Sequence, residues 1–148
     1  MKNILLVDDH AVMREGIKQI LEDELLKVTF GEAGNAAEAL DLFSQKNWDA
    51  VILDIVLPGR SGLDVLREMR QQKPDLPILV YSMHAEEQFA VRALRSGASG
   101  YLSKADVPGQ LVKAIERLMS GRKYISDSVV DKIASELDVQ TDQPCPCS

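Results

Sequence analysis

The side chains able to do chemistry recur at one kind of position, the end of a short apolar run. Asp8 and Asp9 close the run 4–7, Asp54 closes 50–53, Ser82 ends 78–81 and Lys104 follows 100–102 with Ser103 between. Three carboxylates brought together repel one another, so they need a cation or raised pKa values. Hard carboxylate oxygens with room for water suit Mg²⁺. No cysteine or histidine stands at ligand spacing on that rim, which argues against zinc. A carboxylate beside such a cation can attack phosphorus and form an aspartyl-phosphate. Phosphoryl transfer asks mainly for positioning and charge neutralisation; Lys104 would add positive charge and Ser82 a hydrogen bond.

These residues meet only if the chain folds so that the ends of its apolar runs share one edge. The runs 4–7, 28–30, 50–53, 78–81 and 100–102 alternate with amphipathic stretches. Three of them are continuously apolar and rich in Val, Ile and Leu, as strands buried on both faces of a parallel sheet are. Five intervening segments have helical spacing. A first, near 12–25, would turn Val12, Ile17, Ile20, Leu21 and Leu25 to one side. A second opens on Asn35 with Glu38 three residues on, a capping-box arrangement, and would bury Ala39, Leu40 and Phe43. A third, 62–72, would bury Leu63, Leu66 and Met69. A fourth, 86–96, carries Phe89, Val91 and Leu94 and stops at Gly97, a left-handed cap. A fifth, 107–120, follows Asp106 and Pro108 and presents Leu111, Ile115 and Leu118. Strand–helix alternation repeated five times predicts a doubly wound α/β fold with a five-stranded parallel sheet and right-handed crossovers. Ligands of such sheets bind outside the carboxyl ends of the strands, where the chemical residues are.

Composition narrows the classes further. The chain has 148 residues, 45% of them hydrophobic, with a net charge of −6, which is ordinary globular composition rather than that of a disordered chain. The apolar runs are too short to span a bilayer, and acid follows the first run too early for a signal peptide. The two cysteines, Cys145 and Cys147, lie near the end, so no disulfide framework is expected and a cytoplasmic location is the simplest reading. The net acidity lacks the footprint of a self-sufficient nucleic-acid binder.

Taken singly, each residue has a plainer role. An Asp after a strand is often a helix N-cap, a strand-end Ser is usually structural, and a lone Lys is usually a solvated charge. Together they carry a resemblance. Leu5-Leu6-Val7-Asp8-Asp9-His10, Val51-Ile52-Leu53-Asp54-Ile55-Val56-Leu57-Pro58-Gly59 with Ser61-Gly62-Leu63, Val80-Tyr81-Ser82 and the stretch 97–104 resemble the receiver domain of two-component response regulators, over residues 1 to about 120. The wording around Asp8 to Gly16 and from Gly97 to Lys104 is most similar to the NarL/FixJ (LuxR-type) class. The resemblance implies a flavodoxin/CheY-like (βα)5 fold and a phosphoacceptor switched by a sensor histidine kinase, with no free substrate. Asp54 would take the phosphoryl group. Asp9 and Asp54 would bind Mg²⁺ directly, Asp8 mostly through water, and the backbone carbonyl of Val56 would complete the site. Lys104 would pair with phosphoryl oxygens, Ser82 would turn toward them and Tyr101 would swing inward behind it. New hydrogen bonds at Ser82 and Lys104 would bias a face made by the fourth helix, fifth strand and fifth helix, and homodimerisation on phosphorylation is expected.

A Mg-dependent aspartyl-phosphate phosphatase of the haloacid dehalogenase type would place a second acid two residues after its nucleophile, where this chain has Val56. A flavin carrier would need a phosphate loop where two acids stand, and the P-loop motif is absent. His10 and His84 read as surface or loop residues, the latter near the phosphoryl site by resemblance. Pro58, Gly59 and Gly62 read as turn chemistry. Trp48 would cap the corner after the second helix. Residues 121–137 are expected to form a linker helix, and 138–148 a flexible tail in which Cys145 and Cys147 make a poor metal site. Residues 126–148 set one lysine against five acids. A helix-turn-helix domain, the only route to DNA in that class, is expected to be missing from this chain. The rival expectation is a stand-alone regulator acting through protein contact.

Overall fold

A computed structural model of the chain describes residues 2–25, 27–58, 60–82, 87–103 and 107–125. The elements are β1 (Lys2–Val7), α1 (Ala11–Glu24), β2 (Val28–Ala33), α2 (Ala36–Gln45), β3 (Ala50–Asp54), α3 (Gly62–Gln72), β4 (Ile78–Ser82), α4 (Glu87–Arg95), β5 (Gly100–Ser103), α5 (Val107–Met119) and β6 (Tyr124–Ile125). The strands are all parallel, in the order β2-β1-β3-β4-β5-β6. The expected doubly wound fold is therefore present, with one addition: Tyr124 and Ile125 pair beside Gly100 and Tyr101. A two-residue strand has no periodicity to read. Of the residues expected to form a linker helix only 121–125 are described, and there the chain is not helical: Tyr124–Ile125 are strand; the tail with Cys145 and Cys147 lies outside the described residues. Among these, no helix is long and apolar enough to cross a membrane.

The alternation of strand side chains sorts the core into two layers. Leu5, Val7, Val51, Leu53, Val80 and Tyr101 pack with buried residues of α2, α3 and α4. Ile4, Leu6, Ile52, Leu79, Tyr81 and Leu102 pack with Ile17 and Leu21 of α1 and with Leu111, Ile115 and Leu118 of α5. Each large side chain so buried contributes roughly 1.5–3 kcal/mol. The expected apolar stripe of α1 needs one correction. Val12 is 86% exposed, because it stands five residues before Ile17 and so falls off the stripe. Met13, four residues before Ile17, takes the inward position.

Helix ends follow the local signals. The Asn35 side chain accepts from the Glu38 N–H at 2.9 Å, and Glu38 accepts from the Gly34 N–H at 2.8 Å, one residue further back than the usual box. Gly97 ends α4 with φ +113°. The Ala98 N–H bonds the Ala93 carbonyl and the Gly97 N–H bonds Leu94, a Schellman arrangement. The half-buried Arg70 of α3 clamps that cap, donating to the Gly97 carbonyl at 2.8 Å and to Ser99 Oγ at 3.2 Å. Trp48 does hold the corner after α2: its ring is buried and its Nε1 donates to the Leu42 carbonyl at 3.1 Å. The Phe89 side chain lies outside the described residues.

Candidate functional site

The strand order reverses between β1 and β3, and a crevice opens at the carboxyl ends of strands at such a point. Register sets what lies in it. Val7 pairs with Leu53, so Asp8, one residue on, is level with Asp54; Asp54 pairs with Tyr81, and Ser82 with Ser103. Asp8 and Asp54 are buried, at 0% and 2% exposure, while Asp9 is exposed. One oxygen from each of these three carboxylates and one ring nitrogen of His10 all lie within 4.8 Å of one another. The three aspartates expected to share a rim do share it.

Each carboxylate is held by its surroundings. Oδ1 of Asp54 accepts the Val56 N–H at 3.0 Å. The chain can turn back there because Val56 bridges to Ser61, and the Ser61 side chain caps α3 through the Leu63 N–H. Gly62 corrects the turn-chemistry reading: a Cβ on it would sit 2.5 Å from the Asp54 carbonyl oxygen and 2.7 Å from Ile55 backbone atoms. Its role is close approach, letting the start of α3 lie directly against the strand end that carries Asp54. Oδ1 of Asp8 accepts the His10 N–H at 2.8 Å, and its Oδ2 accepts the Tyr81 hydroxyl. Burial first, then the hydrogen bond to Asp8 and the charges of Asp8 and Asp54, push the Tyr81 phenol far above its ordinary range, so it stays a neutral donor. The Arg14 guanidinium donates to the Asp8 carbonyl and reaches Glu32 of β2 at 3.0 Å.

Ser82 and Tyr101 are both buried. By strand alternation they fall on the α2–α4 side of the sheet, whereas Asp8, Asp54 and Tyr81 fall on the α1–α5 side. The Tyr101 ring sits in the core. Lys104 and His84 lie outside the described residues.

The sequence places His10 at the surface where α1 starts rather than among the ligands, and the structure adds a contact to that placement. The residue does begin α1 at the surface, yet its Nδ1 lies 3.1 Å from Asp8 Oδ1 and 3.0 Å from Asp9 Oδ1. The rim therefore includes an imidazole, and the absence of a histidine there no longer argues against transition metals. The available signal was adjacency, since the residue after a strand-end diacid is within reach of both acids. Tyr81 was legible by parity: two residues after Leu79, it must share that residue's face.

A parallel sheet with three aspartates gathered at the carboxyl ends of β1 and β3 defines the CheY-like receiver class of α/β proteins. Residues 4–116 match the family described as response regulator receiver domain, and the chain belongs to that family. It is similar to the response regulator UvrY of Escherichia coli strain K12, at 35% identity over 90% of this chain and 62% of the relative. It is also similar to the transcriptional activator protein ExaE of Pseudomonas putida, at 38% identity over 90% and 62%. Among solved structures, a LuxR-family two-component response regulator from Aurantimonas superposes with a TM-score of 0.85 and 37% identity, covering 92% of this chain and 97% of that one. The chain is thus a receiver domain of the LuxR/NarL type. It spans about 62% of the length of these two curated relatives.

Proposed function

We propose that Asp54 is the phosphoacceptor of a two-component pathway and that its phosphorylation by a sensor histidine kinase switches a transcription regulator. The observation that carries this is the level placement of Asp8 and Asp54, buried, with Asp9 beside them and oxygens of all three within 4.8 Å. An Asp54 carboxylate oxygen attacks the phosphorus of a phosphohistidine. The new P–O bond forms as the P–N bond breaks, and its electron pair returns to the imidazole. The Val56 N–H on Oδ1 fixes the rotation of the attacking carboxylate. When bound, Mg²⁺ neutralises phosphoryl oxygens; Asp9, Asp54 and the Val56 backbone carbonyl would hold it directly and Asp8 through water.

Lys104 pairs with a phosphoryl oxygen, and the Ser82 hydroxyl donates to another. Tyr101 on the same sheet face fixes the space behind Ser82, so phosphorylation biases the surface of α4, β5 and α5. The output is a homodimer acting on DNA through a helix-turn-helix domain beyond these residues, in the cytoplasm. The chain itself acts as a signal transducer, not on a free substrate. Intact-mass spectrometry after acetyl phosphate and Mg²⁺ tests the reading. The wild type gains one phosphoryl group and Asp54→Asn gains none; undiminished labelling of the variant overturns it.

A further inference from the structure

We propose that His10 is a ligand of the divalent cation in this site and shifts its preference from Mg²⁺ toward first-row transition ions such as Mn²⁺, Co²⁺ and Ni²⁺. The inference rests on the reading of Asp8, Asp9 and Asp54 as a cation site and adds a specificity-determining residue to it.

His10 occupies the N-cap position of α1, yet its side chain makes no capping hydrogen bond, and its backbone is extended, with φ −101° and ψ 108°. The ring is directed at the acids instead. Its Nδ1 is nearly equidistant from Asp8 Oδ1, at 3.1 Å, and Asp9 Oδ1, at 3.0 Å. One ring nitrogen carries at most one proton and cannot make two well-aligned hydrogen bonds at once. A metal ion held by Asp9 can take His10 Nδ1 as a further ligand, while Asp8 Oδ1 keeps the His10 backbone N–H and meets the ion through water. With bonds of about 2.1 Å at right angles, neighbouring ligands of an octahedral ion lie about 3.0 Å apart, and opposite ones about 4.2 Å apart. The 3.0 Å between His10 Nδ1 and Asp9 Oδ1 matches the spacing of neighbouring ligands, and all four candidate ligand atoms lie within 4.8 Å of one another.

The donor types then decide the ion. Mg²⁺ takes oxygen and keeps its water, so a carboxylate rim alone suits it. Imidazole suits Mn²⁺ weakly and Co²⁺ and Ni²⁺ strongly, along the order of divalent affinities. The His10 side chain is 66% exposed, so the ring is free to turn out when a hydrated Mg²⁺ enters. The site is therefore read as accepting Mg²⁺ on oxygen alone and gaining a nitrogen bond with later metals.

Calorimetric titration of the full chain with MgCl₂, MnCl₂ and NiCl₂ tests this. The comparison is wild type against His10→Ala and His10→Asn, and the site's signal is the component that Asp9→Asn removes. The expected result is a loss of about tenfold or more in Ni²⁺ affinity in both variants, with a smaller loss for Mn²⁺ and Mg²⁺ affinity held within about threefold. In Co²⁺-loaded wild type, a paramagnetically shifted imidazole proton should appear and be absent from His10→Asn. Unchanged Ni²⁺-to-Mg²⁺ preference in both variants, with Mg²⁺ still bound, overturns the role of His10 and leaves the acidic site standing. Failure of the wild type to bind any of the three ions overturns the cation site and this proposal with it.

Discussion

The Tyr81 hydroxyl donates to Oδ2 of Asp8, so a side chain of β4 reaches across β3 to brace an acid at the end of β1. Asp54 lies in the same row of the register, between them. The bond crosses the crevice where the strand order reverses and ties its two walls together. It also satisfies part of a carboxylate that is fully buried, a group that is costly to leave unpaired.

Tyr81→Phe removes that donor and little volume. A hydrogen bond to a charged group is worth roughly 1.5–3 kcal/mol, so urea unfolding should show a stability lower by that amount, as a lower midpoint with an unchanged slope. A change of less than about 0.5 kcal/mol, the range of an ordinary surface substitution, would contradict the bracing role.

Gly62→Ala pits two effects against each other. Within a helix, alanine is favoured over glycine by about 0.8–1.0 kcal/mol. Here its Cβ would stand 2.5 Å from the Asp54 carbonyl oxygen, a backbone atom that cannot swing aside. Overpacking of that kind costs about 1–3 kcal/mol, so the clash wins. The variant should be less stable, and its labelling by acetyl phosphate should slow, since any relief moves the strand end that carries Asp54. A stabilised variant with wild-type labelling would show that Gly62 is only a helix residue.

The ion-pair cluster under the site predicts a pH dependence. Glu32 receives Lys18 at 2.9 Å and Arg14 at 3.0 Å. The Lys18 hydrogen bond above all holds its carboxyl below the ordinary value. A depressed carboxyl stabilises the fold above its unfolded pKa, and that contribution fades as pH falls through the folded value. Glu32 is 37% exposed, so screening limits the effect to about 0.2–1 kcal/mol. Glu32→Gln should be less stable than wild type at neutral pH by that amount, with the difference closing on acidification below the usual carboxylate range and shrinking in high salt. Guanidinium unfolding brings its own salt, so urea is the denaturant to use; a difference that persists at acid pH would refute the assignment.

Much of this was legible in the residues because the forces behind it are local or periodic. The continuous apolar runs of β1, β3 and β4 reflect burial on both faces. Asn35 with Glu38, and Gly97, announced helix ends through chemistry that acts within a few residues. Asp8, Asp9 and Asp54 stood out because each follows such a run. What stayed hidden depends on tertiary distance. The cap residue His10 carries no periodic signal of where its ring points. Gly62 looks like any loop glycine until the strand packed against it is known. Val12 was misjudged by one helical position, which decides between the core and 86% exposure. The pairing of Tyr124 and Ile125 beside β5 has too few residues to show a pattern.

The central claim is that Asp54 becomes an acyl phosphate, and the most direct measurement maps that bond. The chain is incubated with acetyl phosphate and Mg²⁺, reduced with borohydride and digested for tandem mass spectrometry. Borohydride converts an aspartyl-phosphate to homoserine, so the account predicts homoserine at position 54 and at no other aspartate. Homoserine at Asp8 or Asp9, or an acid-stable phosphate on a hydroxyl residue with position 54 unmodified, would contradict it.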